Sequence, residues 1–319
     1  MTRRSDIVVV IDSHENYYTK HLCIDRHNWS VRVKPFDGQS STDGYLVPNI
    51  VHYILFKIHE IQFAHFLSVL SVLKNHRPDS IYIHCDCRQL TGQYWQRLVR
   101  LANATKTRLI LRTIERPIDI FGQPLSLLYR NFHASDITRI RLLLEFGGIY
   151  LDRDVYVVKN LDPFRNYEMT LDFERTDNGT KVLASQTLLA HRNARFLKLW
   201  LMTYCDYRPD LWYYNTGELP TKEIINKRPD LIHGLNGEFG ADGRQVCPQL
   251  YNQYRNDWRQ TYYSIHLLIR GDSLNPESYC LNGRRPVIYR FDEHNVRQLM
   301  TTFGEMARDV LDYEITVNK

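Results

Sequence analysis

The residues of this sequence best suited to chemistry are the paired carboxylates of Asp152-Arg153-Asp154. In an extended chain, residues two apart share a face, so Asp152 and Asp154 can point into one cleft while Arg153 turns away. Two carboxylates held together and partly buried repel each other unless a cation neutralises them. A hard divalent ion, Mn²⁺ or Mg²⁺, is the natural partner, and it keeps positions open for substrate phosphates. The chemistry this implies is Lewis-acid compensation of charge on a departing diphosphate. Alone, the triplet fits a solvated surface turn equally well. Its neighbours argue against that, because Ile149-Tyr150-Leu151 precedes it and Val155-Tyr156-Val157-Val158 follows, both apolar enough for core strands.

Asp136 and Arg139 stand at i and i+3 and therefore share a helix face. By themselves they read as a surface ion pair. Beside the paired carboxylates, they read as a pair able to bind sugar hydroxyls. The spacing predicts a helix capped by Ser135 or Asp136 and running to Phe146, with Ile137, Ile140, Leu143 and Leu144 as its buried stripe. Gly147-Gly148 ends it, since glycine accepts the left-handed backbone found at helix C-termini. The chain then enters the strand that delivers Asp152, and Asn160-Leu161-Asp162-Pro163 closes the segment with a turn.

Upstream, strand and helix patterns alternate. Ile50–Phe56, Ile81–His84 and Thr107–Ile114 read as strands, and Phe63–Lys74 and Tyr94–Ala102 as helices, which predicts an α/β fold with a parallel sheet. Residues 1–45 read as an N-terminal extension holding one short β-like run, Ile7–Ile11, with a boundary near residue 45 and one domain over 46–319. Beyond residue 165 the pattern is less regular. Lys181–Ala190 and Thr261–Leu268 are strand candidates, Ala194–Tyr204, Thr221–Asn226 and Asn295–Leu311 helix candidates, and His233–Gly243 is a glycine-rich loop.

The run from Ala134-Ser135-Asp136 through Arg139, Gly147-Gly148 and Asp152-Arg153-Asp154 resembles the sugar-binding DxD region of the glycosyltransferase family 32 enzymes. Val47-Pro48-Asn49-Ile50-Val51-His52-Tyr53-Ile54 is similar to that family's opening strand. The resemblance covers residues 46–164, and the remainder follows only by order of elements. It implies a GT-A fold, a Rossmann-like, mostly parallel sheet flanked by helices. It also implies a retaining transferase of the Golgi or secretory lumen that moves a hexosyl unit from a UDP- or GDP-sugar, with UDP favoured, to a glycan, glycolipid or glycoprotein acceptor. In this reading Asp152 and Asp154 hold the metal and diphosphate, and Asp136 and Arg139 contact the donor sugar. His52, Tyr53 and Ile54 lie near the nucleotide. Related enzymes take a third metal ligand from a late histidine. His266 is the best-placed candidate and His233 its rival, although Leu267 and Leu268 stand where the family has an aromatic. Asp172, Glu174 and Asp177, and the loop Thr216-Gly217-Glu218, are candidate donor or acceptor contacts.

Bulk properties agree with an ordinary globular enzyme. The chain has 319 residues, 43% hydrophobic and 24% charged, with a formal charge of +5 and no long basic run or zinc-finger spacing that would imply nucleic acid. No stretch reaches the roughly 18–20 apolar residues that span a bilayer. The even number of cysteines, six, fits disulfides, and Asn28, Asn103 and Asn178 head glycosylation sequons. A DxD phosphatase is disfavoured because Tyr156 follows the triplet where threonine or valine is expected and Pro276 replaces the second aspartate after Gly271-Asp272. An EF-hand fails on Val157 and Pro163, where glycine and glutamate are required. A toxin-like transferase acting on protein side chains and a catalytically silent sugar-nucleotide-binding module share the same motifs.

Overall fold

The computed structural model describes residues 9–11, 36, 38, 41, 43–176, 178–269, 280 and 291–317. The sequon at Asn28, Asp177, Gly271-Asp272 and Pro276 lie outside the described residues.

The elements in chain order are β1 (Val9–Ile11), β2 (Ile50–Leu55), α1 (Phe63–Asn75), β3 (Ser80–Cys85), α2 (Gln93–Ala104) and β4 (Arg108–Thr113). A small hairpin, β5 (Asp119–Ile120) and β6 (Gln123–Pro124), leads to α3 (Arg130–Phe146) and β7 (Gly148–Leu151). There follow β8 (Val155–Val157), β9 (Met169–Arg175), β10 (Lys181–Ala190), α4 (Arg195–Thr203), β11 (His233–Gly234), β12 (Ser264–His266), α5 (Glu293–Gln298) and α6 (Thr302–Val317). An eight-stranded sheet runs in the order β1-β4-β3-β2-β7-β10-β9-β11. Strands β1, β4, β3, β2 and β7 are mutually parallel, and β10 is antiparallel to both β7 and β9. The expected α/β architecture, a mostly parallel sheet flanked by helices, is what the chain adopts.

Strand β2 is central and buried on both faces, which accounts for an apolar run interrupted only by His52. Alternation along the strands feeds two cores. Val51, Tyr53, Leu55, Ile149 and Leu151 pack toward α1, α2 and α6, whereas Ile54, Phe56 and Tyr150 pack toward α3 and α4. Helix α1 is buried from Phe63 to Leu73 and so carries little polar surface. Three of its polar side chains bond to strand β8: Ser68 donates to the Val155 carbonyl (2.5 Å), Ser71 accepts from the Val157 N–H (2.9 Å), and the Asn75 amide donates to the Val157 carbonyl (2.8 Å). The strand that leaves the paired aspartates is thereby fixed to a rigid helix.

Several expectations are corrected. Helix α3 begins at Arg130, a turn and a half before the expected cap, so Asp136 lies in its interior; the chain turns in earlier, where the Tyr129 N–H bonds to Ser126 Oγ at 3.1 Å. The expected last helix is two, because the chain bends at Leu299–Thr301 between α5 and α6. Only Ser264–His266 of the predicted Thr261–Leu268 strand is strand, and His233–Gly234, read as loop, pairs in parallel with β9. The expected glycine stop is present: Gly147 and Gly148 have φ of +64° and +108°, values that favour glycine. A Cβ on Gly148 would also sit 2.6 Å from the Ile50 carbonyl oxygen. Gly148→Ala is therefore expected to cost about 2 kcal/mol or more, a loss that urea unfolding of the variant checks directly.

Candidate functional site

Asp152-Arg153-Asp154 forms the corner between β7 and β8. Asp152 is anchored on its backbone, its N–H donating to the Gln186 carbonyl at 2.8 Å, and its carboxylate accepts from Tyr150 Oη at 2.6 Å. Asp154 is almost fully buried. Its Oδ2 accepts the Ile269 N–H at 2.8 Å, its Oδ1 lies 3.2 Å from His266 Nε2, and its carbonyl accepts from the Leu267 N–H at 2.8 Å. The segment His266–Ile269 thus wraps around one aspartate. It does so through Leu268, whose φ of +56° is rare for a branched side chain. Antiparallel pairing of His266 with Val155 sets this register. Burial raises the Asp154 carboxyl, but the His266 ring, Arg153 and the Ile269 N–H outweigh it and hold the group at about 2.

Among the described residues, Asp152, Asp154 and His266 form the one group of acidic or histidine side chains with metal-ligand spacing, their ligand atoms all within 4.8 Å of one another. Two carboxylates and an imidazole suit Mn²⁺ or Mg²⁺, with the nitrogen favouring the former. His233, the rival ligand, is elsewhere. It stacks on Tyr167 at 3.7 Å and belongs to β11.

Arg139 connects the rest. Its guanidinium is buried and bonds Asp136 Oδ1 at 2.8 Å, the Ser185 carbonyl at 2.8 Å and Ser185 Oγ at 2.6 Å, and reaches Asp152 Oδ1 at 3.4 Å. Tyr150 lies under it, with the ring centroid 4.6 Å from Cζ. Asp136 also accepts from Thr216 Oγ1 at 2.7 Å. Burial raises the Asp136 carboxyl while Arg139 and Thr216 oppose that rise. So Asp136, Arg139, Asp152 and Asp154, named from sequence, come together with His266, and of the loop Thr216-Gly217-Glu218 it is Thr216 that joins them.

His52, Tyr53 and Ile54 do not join this cluster by their side chains. All three are buried: His52 bonds His84 and the Gly147 carbonyl, Tyr53 bonds Ser68, and Ile54 packs in the core behind α3. Asp172 is a structural anchor rather than an acceptor contact, since it is buried and accepts the N–H groups of Phe173, Gly237 and Phe239.

Sequence reasoning missed Ser185 and Gln186. They sit in a bulge where β10 places extra residues opposite β9, the register jumping from Ala184–Asp172 to Leu188–Leu171. Gln186 is 4% exposed, and neither its Nε2 nor Arg139 Nε has a partner among the described residues. Unpaired buried donors are costly.

Residues 70–171 match the family described as glycosyltransferase sugar-binding region containing DXD motif. Glucan organizing enzyme 1 of Cryptococcus neoformans var. grubii serotype A is 29% identical over 264 residues, covering 75% of this chain and 69% of that protein. Lactosylceramide 4-alpha-galactosyltransferase of Rattus norvegicus is 33% identical over 115 residues, 36% of this chain and 29% of that protein. The chain therefore spans about two thirds of the fungal relative and less than a third of the rat one. The solved structure of an active-site mutant of LgtC aligns with a TM-score of 0.45 at 12% identity, covering 83% of this chain and 95% of that one.

The depressed Asp154 carboxyl makes a prediction for the metal-free chain. A group held at about 2 in the folded state, against 3.8 ordinarily, contributes stability above pH 4 that is lost as pH falls toward 2. Asp154→Asn should therefore lower stability at neutral pH by about 2 kcal/mol, and the gap to wild type should close below about pH 3 in denaturant titrations.

Proposed function

We propose that this chain, which belongs to the glycosyltransferases with a DXD-containing sugar-binding region, moves a hexosyl unit from a nucleotide diphosphate sugar to a glycan or glycolipid acceptor. The observation that carries the reading is the convergence of a carboxylate–imidazole cluster with a buried Asp136–Arg139 pair on one side of one corner. Residues 46–319 form the catalytic domain in this reading, with β1 adding an edge strand to its sheet, and the donor is a UDP-sugar in preference to GDP-mannose.

Asp152, Asp154 and His266 are the residues that would hold Mn²⁺ or Mg²⁺. When bound, the ion supplies positive charge against the leaving diphosphate. Asp136 accepts hydrogen bonds from donor-sugar hydroxyls, and its pairing with Arg139 and Thr216 fixes its direction. Because these groups are already locked by Ser185, Tyr150 and the strand bulge, little reorganisation accompanies substrate binding. Retention of configuration follows from the family resemblance, and no side chain is assigned as nucleophile.

Placement in a secretory lumen is part of the same proposal. Cys85 is bonded to Cys87 and Cys247 to Cys280, and Cys205 is also disulfide-bonded, which fits an oxidising compartment. No helix among the described residues is long and apolar enough to cross a membrane.

The reading predicts slow Mn²⁺-dependent hydrolysis of a UDP- or GDP-sugar, abolished by chelation, in a screen of sugar nucleotides. Arg139→Lys, which keeps the charge but loses the planar fork, should lower kcat by about a hundredfold. Absence of hydrolysis, and of any thermal shift, with every sugar nucleotide plus Mn²⁺ would sink the reading.

A further inference from the structure

We propose that His52, backed by His84, is a positioning residue that locks the corner at which the helix carrying Asp136 and Arg139 turns into the strand delivering Asp152. The proposal rests on the functional reading above and adds to it a residue that touches neither substrate nor metal.

Both imidazoles are fully buried, at 0% exposure. His52 Nε2 lies 2.9 Å from the Gly147 carbonyl oxygen, and its Nδ1 lies 3.0 Å from His84 Nε2. A carbonyl only accepts, so the His52 proton resides on Nε2 and its Nδ1 must accept in turn. The proton it accepts comes from His84 Nε2, and His84 Nδ1 is left bare; that atom has no partner among the described residues. Burial keeps both rings neutral, His52 lowered to about 4 and His84 well below its ordinary value. The relay therefore has one direction: His84 to His52 to Gly147.

Its end point is the significant one. Gly147 follows the last residue of α3, where helix carbonyls lack intrahelical donors. The backbone of His52 also pairs in parallel with Tyr150 of β7. One residue thus grips both sides of the Gly147-Gly148 corner, by side chain before it and by backbone after it. Tyr150 in turn donates to Asp152 and lies under Arg139. There is no slack: a Cβ on Gly148 would stand 2.9 Å from His52 Nε2. Phe146 and Tyr82 close the pocket around the ring, with centroids 5.9 Å and 5.4 Å from it, and Arg112 stacks on Phe146 at 4.4 Å.

The test reads Mn²⁺ affinity by the paramagnetic signal of the free ion, together with Tm and sugar-nucleotide hydrolysis. His52→Leu should weaken Mn²⁺ binding about tenfold or more and lower kcat, as removal of an outer support of a metal site does. His52→Gln, whose amide can still donate to Gly147, should recover most of both. His84→Leu, which leaves His52 in place but frees its ring, should weaken Mn²⁺ binding severalfold, and it serves if His52→Leu does not fold. In wild type, ¹⁵N spectra of the imidazoles should show the Nε2–H tautomer at both residues, and an Nδ1–H tautomer at His52 overturns the relay. Folded His52→Leu and His84→Leu variants with lowered Tm but unaltered Mn²⁺ affinity and kcat overturn the positioning role alone. A wild-type chain that binds no Mn²⁺ overturns the functional reading, and this proposal with it.

Discussion

A guanidinium buried in the interior dictates much of what surrounds it. Arg139 is 5% exposed and must find acceptors for its donors, because an uncompensated buried cation costs several kcal/mol. It finds them on three separate elements: Asp136 on its own helix, Ser185 on the bulge of β10, and Asp152 at the exit of β7. Of these, only Asp136 is close to Arg139 in sequence. One side chain therefore sets the distance between Asp136 and the cluster of Asp152, Asp154 and His266, and the bulge in β10 exists at the point where its carbonyls serve both Arg139 and Asp152.

Two further devices complete the cage. Helix α1, apolar on almost every side, uses Ser68, Ser71 and Asn75 to fix the outgoing strand β8. Segment His266–Ile269 bonds both the backbone and the carboxylate of Asp154: the turn at Leu268 brings the Ile269 N–H to Oδ2, and His266 Nε2 lies against Oδ1. Asp152 and Asp154 are thus held by different parts of the fold. Asp152 stays partly exposed and Asp154 is enclosed.

The sequence made the first half of the fold legible because its strands are buried on both faces and its helices are strongly patterned. Ile50–Leu55, Ser80–Cys85 and Arg108–Thr113 stand within one or two residues of the expected strands. Asp136, Arg139, Asp152 and Asp154 were legible for a different reason: charged residues interrupting apolar runs at helix and strand spacing demand an explanation. Asp172 shows the limit of that logic, since a buried carboxylate can equally be spent on three backbone N–H groups. Ser185 and Gln186 carry no such signal. Their roles arise from a bulge that only tertiary pairing creates, and nothing in the composition of β10 distinguishes them from ordinary strand residues. The start of α3 was misplaced because a good capping residue, Asp136, was being used instead as a buried partner of Arg139.

The central claim is that Asp152, Asp154 and His266 together hold one divalent ion. Electron paramagnetic resonance of Mn²⁺ added to the intact chain tests it most directly. The account predicts a single bound ion showing nitrogen coupling from one imidazole, with the coupling lost in His266→Ala and binding lost in Asp152→Asn and Asp154→Asn. Mn²⁺ bound equally well by all three variants, or bound without any nitrogen coupling in wild type, would contradict it.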